Sequence, residues 1–182
     1  MPIIGAKRRI MRELGNLELL ESENKFIIDC NPVALFGNKE VPPRFNNTTT
    51  TSQPSRENLI TLQGRILPQS EPFCRASFLI EISLSNEYPF KIPSVVFLDP
   101  IYHPNIRESD GHYHICGLNY DKNYHLKMSL TEIIEDILCI IDSDLHVNGF
   151  WNPECYQEYK NDYPSFYKKA LEHTLSYGRP RF

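Results

Sequence analysis

The first apolar pattern in the chain has the period of a helix. Ile10, Leu14 and Leu17 are spaced four and three residues apart and share one face, while the neighbouring cations lie mostly on the opposite face. Since this spacing is typical of a helix that packs one side onto a core, we predict a helix over residues 6–21.

The next regular pattern has a period of two, as in β-strands. In ASFLIEISL, positions 76, 78, 80, 82 and 84 are all apolar and therefore point to the same side of a strand. Three more short apolar segments, residues 25–30, 59–68 and 94–99, are also strand candidates. Because most of the connections are short, we predict an antiparallel meander of about four strands. YPFKIP, at positions 88–93, contains two prolines and is expected to be an ordered turn.

The helical period returns after Ser129. The sequence SLTE is a capping box, in which Ser129 and Glu132 bond to each other's backbone amides. The apolar run 133–141 then predicts a central helix, with Cys139 in the core. Residues 153–178 predict C-terminal helices that break near Pro164, since proline is not tolerated in a helix interior. The order of helix, strands and helices indicates an α+β fold.

Between the first two predicted strands the amino-acid composition changes. Residues 37–57 are rich in Pro, Asn, Thr and Ser and contain few apolar side chains. Such a segment buries too little surface to offset the entropy of ordering. We therefore expect a single domain over residues 1–182 with a flexible insertion at about 37–57.

Composition narrows the functional classes. The net charge of -4 provides no overall cationic footprint for nucleic acid. No apolar run reaches the roughly 18 residues of a membrane span, and a signal peptide's apolar core is absent from the N-terminus. The five cysteines are odd in number, scattered and without a C-x-x-C pair, which favours a reducing compartment. We expect a monomer in the cytoplasm or nucleus, without a nucleic-acid or membrane partner.

The candidate chemistry lies in GHYHICGL, at positions 111–118, and in HPN, at positions 103–105. His112, His114 and Cys116 alternate, but a structural zinc site needs a fourth ligand, for which only His103 is available. A Cys–His hydrolase needs a base beside the thiol and a third group that orients this base. His114 is the nearest candidate base but is poorly placed two residues away on the same strand, and the sequence marks no residue that would orient His103. Because the fourth zinc ligand is not evident, we predict no metal site.

A third interpretation treats Cys116 as a thiol that accepts and passes on an acyl group. Exchange between a thiol and a thioester is close to thermoneutral and requires no dedicated base. It does require a hydrogen-bond donor for the oxyanion. The side-chain amide of Asn105 suits this task because Pro104 stiffens its turn, and His103 would fix the turn through backbone hydrogen bonds.

YPFKIPSVVFLDPIYHPNI, followed nine residues later by Cys116, resembles the core signature of ubiquitin-conjugating enzymes. The resemblance extends from the basic first helix to the C-terminal YG-x-x-R, and implies the ubiquitin-conjugating fold. IYHPNI, ITLQG and SYGRPR are most similar to the branch that works with cysteine-bearing HECT or RBR ligases.

The resemblance implies a role for each matching residue. Cys116 would carry ubiquitin or a ubiquitin-like modifier as a thioester, and Asn105 would stabilise the oxyanion. ATP would be used by the activating enzyme, so this chain needs no cofactor. Residues expected to contact a HECT, RBR or RING-type ligase are Phe90, Lys91, Pro93, Leu126 and Lys127. Residues expected to dock on the ubiquitin-activating enzyme are Lys7, Arg8, Arg9 and Arg12.

The sequence also departs from the family pattern. Members that transfer directly to lysine carry an acid just after the active cysteine and another after the central helix; Gly117, Leu118 and either Asn148 or Gly149 stand at those places. An acid holds and helps to deprotonate an incoming amine, whereas a thiol nucleophile needs no such help. We therefore predict preferential transfer to a ligase cysteine. The alternative is an inactive scaffold that binds ubiquitin or a ligase.

Overall fold

The computed structural model describes residues 3–30, 60–85, 87–109, 112–115, 126–142 and 152–182. Within them, the elements are α1 (Ile3–Ser22), β1 (Phe26–Cys30), β2 (Ile60–Ile66), β3 (Phe78–Leu84), β4 (Ser94–Phe97), β5 (Ile106–Ser109), β6 (His112–Ile115), α2 (Leu130–Asp142), α3 (Pro153–Asn161) and α4 (Tyr163–Tyr177). This order confirms the α+β prediction. The predicted insertion at 37–57 lies outside the described residues. Each described helix is too short or too polar to traverse a bilayer.

The sheet is antiparallel and has six strands in the order β1-β2-β3-β4-β6-β5. Its first four strands form the predicted meander, but a count of about four was too low because the β5–β6 hairpin was missed. Each strand of this hairpin has only four residues, too few for a clear alternation. The register pairs Ser109 with His112 and leaves two residues between them. Their sequence, Asp-Gly, is a typical two-residue hairpin signal that could have revealed both strands.

The core lies between the sheet and the helices α1 and α2. Ile10, Leu14 and Leu17 of α1 are buried, as the helical period predicts, and α1 contacts both β1 and α2. The apolar residues of β3 are buried as well. Since burying one large aliphatic side chain is worth about 1.5–3 kcal/mol, this shared core fixes α1 and α2 relative to the sheet.

The predicted capping box opens α2. The Ser129 amide donates to Glu132 Oε2 over 2.7 Å, and the Glu132 amide donates to Ser129 Oγ over 3.2 Å. Ile133, Ile137 and four other apolar residues of the helix are buried. The prediction that Cys139 lies in the core is wrong: the residue is exposed, because the helical period places it opposite the buried stripe.

The predicted break near Pro164 separates α3 from α4 at Asp162. Asp162 accepts a hydrogen bond from the Ser165 amide over 3.2 Å, and Pro164 lies in the first turn of α4, where no amide hydrogen is needed. After α4, the chain folds back along β3. Arg179 binds both carboxylate oxygens of Asp99 over 2.7 and 2.9 Å, which anchors the C-terminal residues to the sheet.

Candidate active site

The segment from His103 to Asn105 forms a buried turn that leads into β5. The Ile106 amide donates to the carbonyl of His103 over 3.0 Å and closes the turn. Pro104 restricts the backbone at the centre. The exposed fractions of His103 and Asn105 are 3% and 1%. The turn is therefore a rigid part of the interior.

His103 holds the turn from inside. Its Nδ1 accepts a hydrogen bond from the Asn105 amide over 3.1 Å, and its ring packs edge-on against Phe73, with ring centroids 5.4 Å apart. Burial lowers the pKa of His103 to about 3, although a hydrogen bond to the backbone of Ile141 opposes this shift. The imidazole is therefore neutral at physiological pH, and too weakly basic to serve as the general base of a Cys–His pair.

The start of α3 holds the turn from the other side. The Asn152 amide donates to the carbonyl of Pro104 over 3.0 Å, while the Asn152 side chain caps α3 by accepting from the Cys155 amide over 3.2 Å. Tyr102, just before the turn, donates its hydroxyl to Glu158 of α3 over 2.6 Å. Burial and this hydrogen bond raise the pKa of Tyr102, which keeps the donor protonated.

The side chain of Asn105 is the exception in this bonded environment. Neither its Oδ1 nor its Nδ2 has a hydrogen-bond partner among the described residues, although both atoms are buried. A buried polar group without a partner costs about 1–3 kcal/mol. Because the backbone on both sides is held by hydrogen bonds, this amide has the fixed position that a preorganised hydrogen-bond donor requires.

The reactive thiol predicted at Cys116 lies outside the described residues. β6 ends one residue earlier, at Ile115, and the sheet register pairs Ile115 with Ile106. This pairing brings face to face the two residues that adjoin Cys116 and Asn105 in the sequence. His112 is exposed and His114 is half-buried on β6. The described residues contain no group of three or more potential metal ligands.

The residues predicted to contact a ligase differ in exposure: four are exposed and one is buried. Phe90 is 77% exposed and Leu126 is 49% exposed, both high values for large apolar side chains. Lys91 and Lys127 are exposed beside them. Pro93 is instead buried, because it leads directly into β4, so it offers no contact surface.

The basic residues of α1 also differ in the direction of their side chains. Arg8 and Arg12 are exposed on its outer face, and the side chain of Lys7 lies outside the described part. Arg9 turns inward: its Nε donates to Glu13 over 2.6 Å, and its terminal nitrogens donate to the carbonyls of Leu126 and Met128. Nε and both terminal nitrogens of Arg9 are thus engaged within the protein, whereas Arg8 and Arg12 face outward; that Arg9 docks on the activating enzyme stays a prediction.

Glu13 and Tyr88 were missed as residues that organise this region. Glu13 is only 2% exposed, and it accepts hydrogen bonds from the Tyr88 hydroxyl over 2.5 Å and from the Leu130 amide over 3.1 Å. One sequence signal was available, because Glu13 lies on the apolar stripe of α1, four residues after Arg9. Its partners on other segments could not be read from the sequence.

The sequence matches the family described as ubiquitin-conjugating enzyme over residues 38–174. The chain is 32% identical over 119 residues to ubiquitin conjugating enzyme E2 B of Dictyostelium discoideum, covering 65% of this chain and 76% of that protein. It is 25% identical over 178 residues to ubiquitin-conjugating enzyme E2 ubc-18 of Caenorhabditis elegans, covering 98% and 99%. It is also 25% identical over 135 residues to ubiquitin-conjugating enzyme E2-18 kDa of Drosophila melanogaster, covering 74% of this chain and 86% of that protein. With its N-terminal helix, antiparallel sheet and C-terminal helices, the chain belongs to the ubiquitin-conjugating enzyme family, a family of transferases.

Proposed function

We propose that the chain accepts ubiquitin or a ubiquitin-like modifier from an activating enzyme as a thioester on Cys116, and passes it preferentially to a ligase cysteine. The observation that carries this proposal is the side chain of Asn105, buried without a partner among the described residues in a turn whose backbone is held by three hydrogen bonds. A stable protein gains nothing from such a group, whereas an acyl transferase needs one.

The chemistry is two successive thiol exchanges. The Cys116 thiolate attacks the thioester carbonyl carbon of the modifier on the activating enzyme, and the carbonyl electrons move onto oxygen. Asn105 Nδ2 donates a hydrogen bond to this oxyanion, which then collapses and expels the thiolate of the activating enzyme. In the second exchange a ligase thiolate attacks the same carbonyl carbon, and Cys116 leaves as a thiolate. The atoms balance without a cofactor.

The preference for cysteine follows from the types of the residues next to Cys116 in the sequence and from the low basicity of His103. A lysine amine must lose a proton as it attacks, whereas a ligase thiolate arrives deprotonated. Gly117 and Leu118 follow Cys116 in the sequence and carry no ionisable group. His103, the buried histidine of the turn, is a very weak base because its pKa is about 3.

The surface supports the two protein partners of this cycle. Phe90 and Leu126 expose apolar area of the kind that enters a pocket on a partner, and we assign them to the ligase. Arg8 and Arg12 present exposed cations on α1. We assign these cations to an acidic surface of the activating enzyme, where complementary charge steers association.

Charging tests the first exchange. The chain is incubated with activating enzyme, ATP and ubiquitin, and in parallel with several ubiquitin-like modifiers and their activating enzymes. We expect one modifier to form an adduct that a reducing agent removes and that is absent from Cys116→Ala. Cys139→Ala is the matched control, because Cys139 is an exposed thiol on α2. If no modifier forms an adduct with the wild-type chain, a binding scaffold is the better description.

Discharge tests the preference. The charged chain is mixed with free cysteine or with free lysine, and the loss of the adduct is followed over time. We expect rapid loss to cysteine and slow loss to lysine. Equal or faster loss to lysine contradicts the proposed route through a ligase cysteine.

A further inference from the structure

Arg9 joins α1 to the segment that precedes α2. One terminal nitrogen of its guanidinium donates to the Met128 carbonyl over 2.9 Å, and the other donates to the Leu126 carbonyl. Its Nε is paired with Glu13 over 2.6 Å. Two directional bonds from one planar group hold this segment and a third fixes the guanidinium on α1, which a flexible ammonium could not do equally well.

Glu13 joins the same helix to two other segments. Besides Arg9, its carboxylate accepts from the hydroxyl of Tyr88 and from the amide of Leu130, the first residue of α2. Arg9 also lies over the Tyr88 ring, 5.3 Å from its centroid. We call the side chains of Arg9, Glu13 and Tyr88, with these backbone partners, the α1 network.

The α1 network reaches both parts of the surface assigned to the ligase. Tyr88 is two residues before Phe90, and the amide of Phe90 is bonded to the carbonyl of Glu87 over 2.7 Å, so the turn moves as a unit with Tyr88. Leu126 is itself bonded through its carbonyl. Two residues of α1 thus contact both the turn that carries Phe90 and the segment that carries Leu126.

We propose that Arg9 and Glu13 are positioning residues, which hold Phe90 and Leu126 at the separation that a ligase recognises. The inference rests on the proposed function, because that function assigns this surface to a ligase. The basic residues of α1 then have two different roles. Arg8 and Arg12 contact an activating enzyme, whereas Arg9 positions the segments that form the ligase surface.

The two alternatives for Arg9 differ in what they predict. If the network only stabilised the fold, weakening it would change the unfolding transition and leave recognition unchanged in the folded protein. If it positions the two loops, a charge-conserving change would weaken ligase binding while the fold persists. Arg9→Lys keeps the cation beside Glu13 but removes the planar group that binds both carbonyls.

The experiment compares Arg9→Lys with Arg75→Lys in the full chain. Arg75 is paired with Glu71, which is also four positions away but precedes the arginine, and both side chains are exposed, so the same chemical change is made at an exposed ion pair. In the first measurement, amide hydrogen exchange of Phe90 and Leu130 is followed in the uncharged chain, without any partner. We expect exchange to accelerate about tenfold in Arg9→Lys, as local opening becomes easier, and to stay at the wild-type rate in Arg75→Lys.

In the second measurement, the charged variants are discharged by increasing concentrations of a HECT-class catalytic domain. We expect KM for the ligase to rise about tenfold in Arg9→Lys while kcat changes less than about twofold, because an interaction used in binding is altered and the thioester chemistry is not. Adding Tyr88→Phe to Arg9→Lys should raise KM by less than the product of the single effects, because the two residues share one network.

Unchanged exchange at Phe90 and Leu130 in Arg9→Lys would overturn the inference, and so would an unchanged KM. An equal effect of Arg75→Lys would overturn it as well. Failure of the proposed function has a different signature: the wild-type chain would not be charged, or would not be discharged by the ligase domain, while the exchange measurement would still report on the α1 network.

Discussion

Two buried polar clusters in the described residues differ in how they satisfy their hydrogen-bonding groups. In the α1 network, the Glu13 carboxylate has three donors and the Arg9 guanidinium has three acceptors. In the turn around His103, the backbone is bonded on both sides, but the Asn105 side chain has no partner among these residues. A satisfied network holds segments in place, whereas an unsatisfied group is available to a reacting molecule.

The comparison teaches where to look for chemistry in a fold of this kind. Burial by itself does not distinguish the clusters, since Glu13 is 2% exposed and Asn105 is 1% exposed. The difference lies in their partners, because a buried group that forgoes its hydrogen bonds lowers stability and requires another explanation. Substitutions in the two clusters should therefore have opposite effects on stability and on activity.

The largest expected effect is on stability, from Glu13→Ala. The change removes the carboxylate that accepts from the Tyr88 hydroxyl and the Leu130 amide and that pairs with the Arg9 cation, so we expect the unfolding free energy to fall by about 3 kcal/mol. Urea denaturation measures this, with Glu18→Ala, an exposed acid on the same helix, as the control. A loss below about 1 kcal/mol would show that the network is weak.

The next effect is on activity, from Asn105→Ala. We expect discharge of the charged chain to free cysteine to slow by about 100-fold, as for the loss of one oxyanion donor. The unfolding free energy should stay the same or rise, because the change removes a buried polar group that has no hydrogen-bond partner among the described residues.

Asn152→Ala is the reciprocal control for this residue. It removes the cap of α3, which costs about 1 kcal/mol, and should leave the discharge rate near that of the wild type. If Asn105→Ala and Asn152→Ala slow discharge equally, the distinction between a catalytic amide and a structural amide is refuted.

A smaller effect concerns the pH dependence of stability. Because burial holds the pKa of His103 at about 3, the folded state keeps this residue neutral while the unfolded state takes up a proton near its ordinary value. The stability from His103 is thus complete above about pH 6.5 and is lost as the pH falls toward 3, by about 1.4 kcal/mol per unit.

Denaturation at pH 6.5 and pH 5 tests this sign. Between these values the wild-type chain should lose about 2 kcal/mol more than His103→Gln, which has no group that titrates in this range. Parallel losses in the two proteins would show that His103 takes up its proton in the folded state. His103 would then not be the neutral acceptor that holds the turn.

The smallest effect is expected from Arg75→Ala. Its ion pair with Glu71 is exposed, so solvent screens the attraction and we expect no measurable change in the unfolding transition. The substitution removes the same kind of i,i+4 pair as a change at Arg9 but not its backbone partners. A destabilisation comparable to that of Glu13→Ala would show that the ion pair, rather than the bonded backbone, carries the stability of the α1 network.

The elements with a clear period were predictable. The stripe of Ile10, Leu14 and Leu17 predicted α1, the capping box located the start of α2, and Pro164 predicted the break before α4. In each of these cases residues within a few positions of one another determine the structure. Cys139 shows that an apolar neighbourhood in the sequence does not by itself predict burial. The residue lies in an apolar run, but the helical period places it on the exposed face of α2.

The β5–β6 hairpin and the α1 network were not predicted. The two hairpin strands are short, and β6 pairs with β4 through Phe97 and Tyr113, a contact between distant parts of the sequence. Glu13 meets Tyr88 across 75 positions and Leu130 across 117. Propensity and periodicity contain no information about such pairs.

The motif around His103 and Cys116 was enough to predict the family and the fold, because it depends on residue types at a short spacing, while thiol-based transfer through Cys116 stays a prediction. It did not reveal that the amide of Asn105 lacks partners among the described residues, or that Arg9 faces inward while Arg8 and Arg12 face outward. Those properties depend on which groups from distant segments come within hydrogen-bonding distance, and only packing of the helices against the sheet decides that.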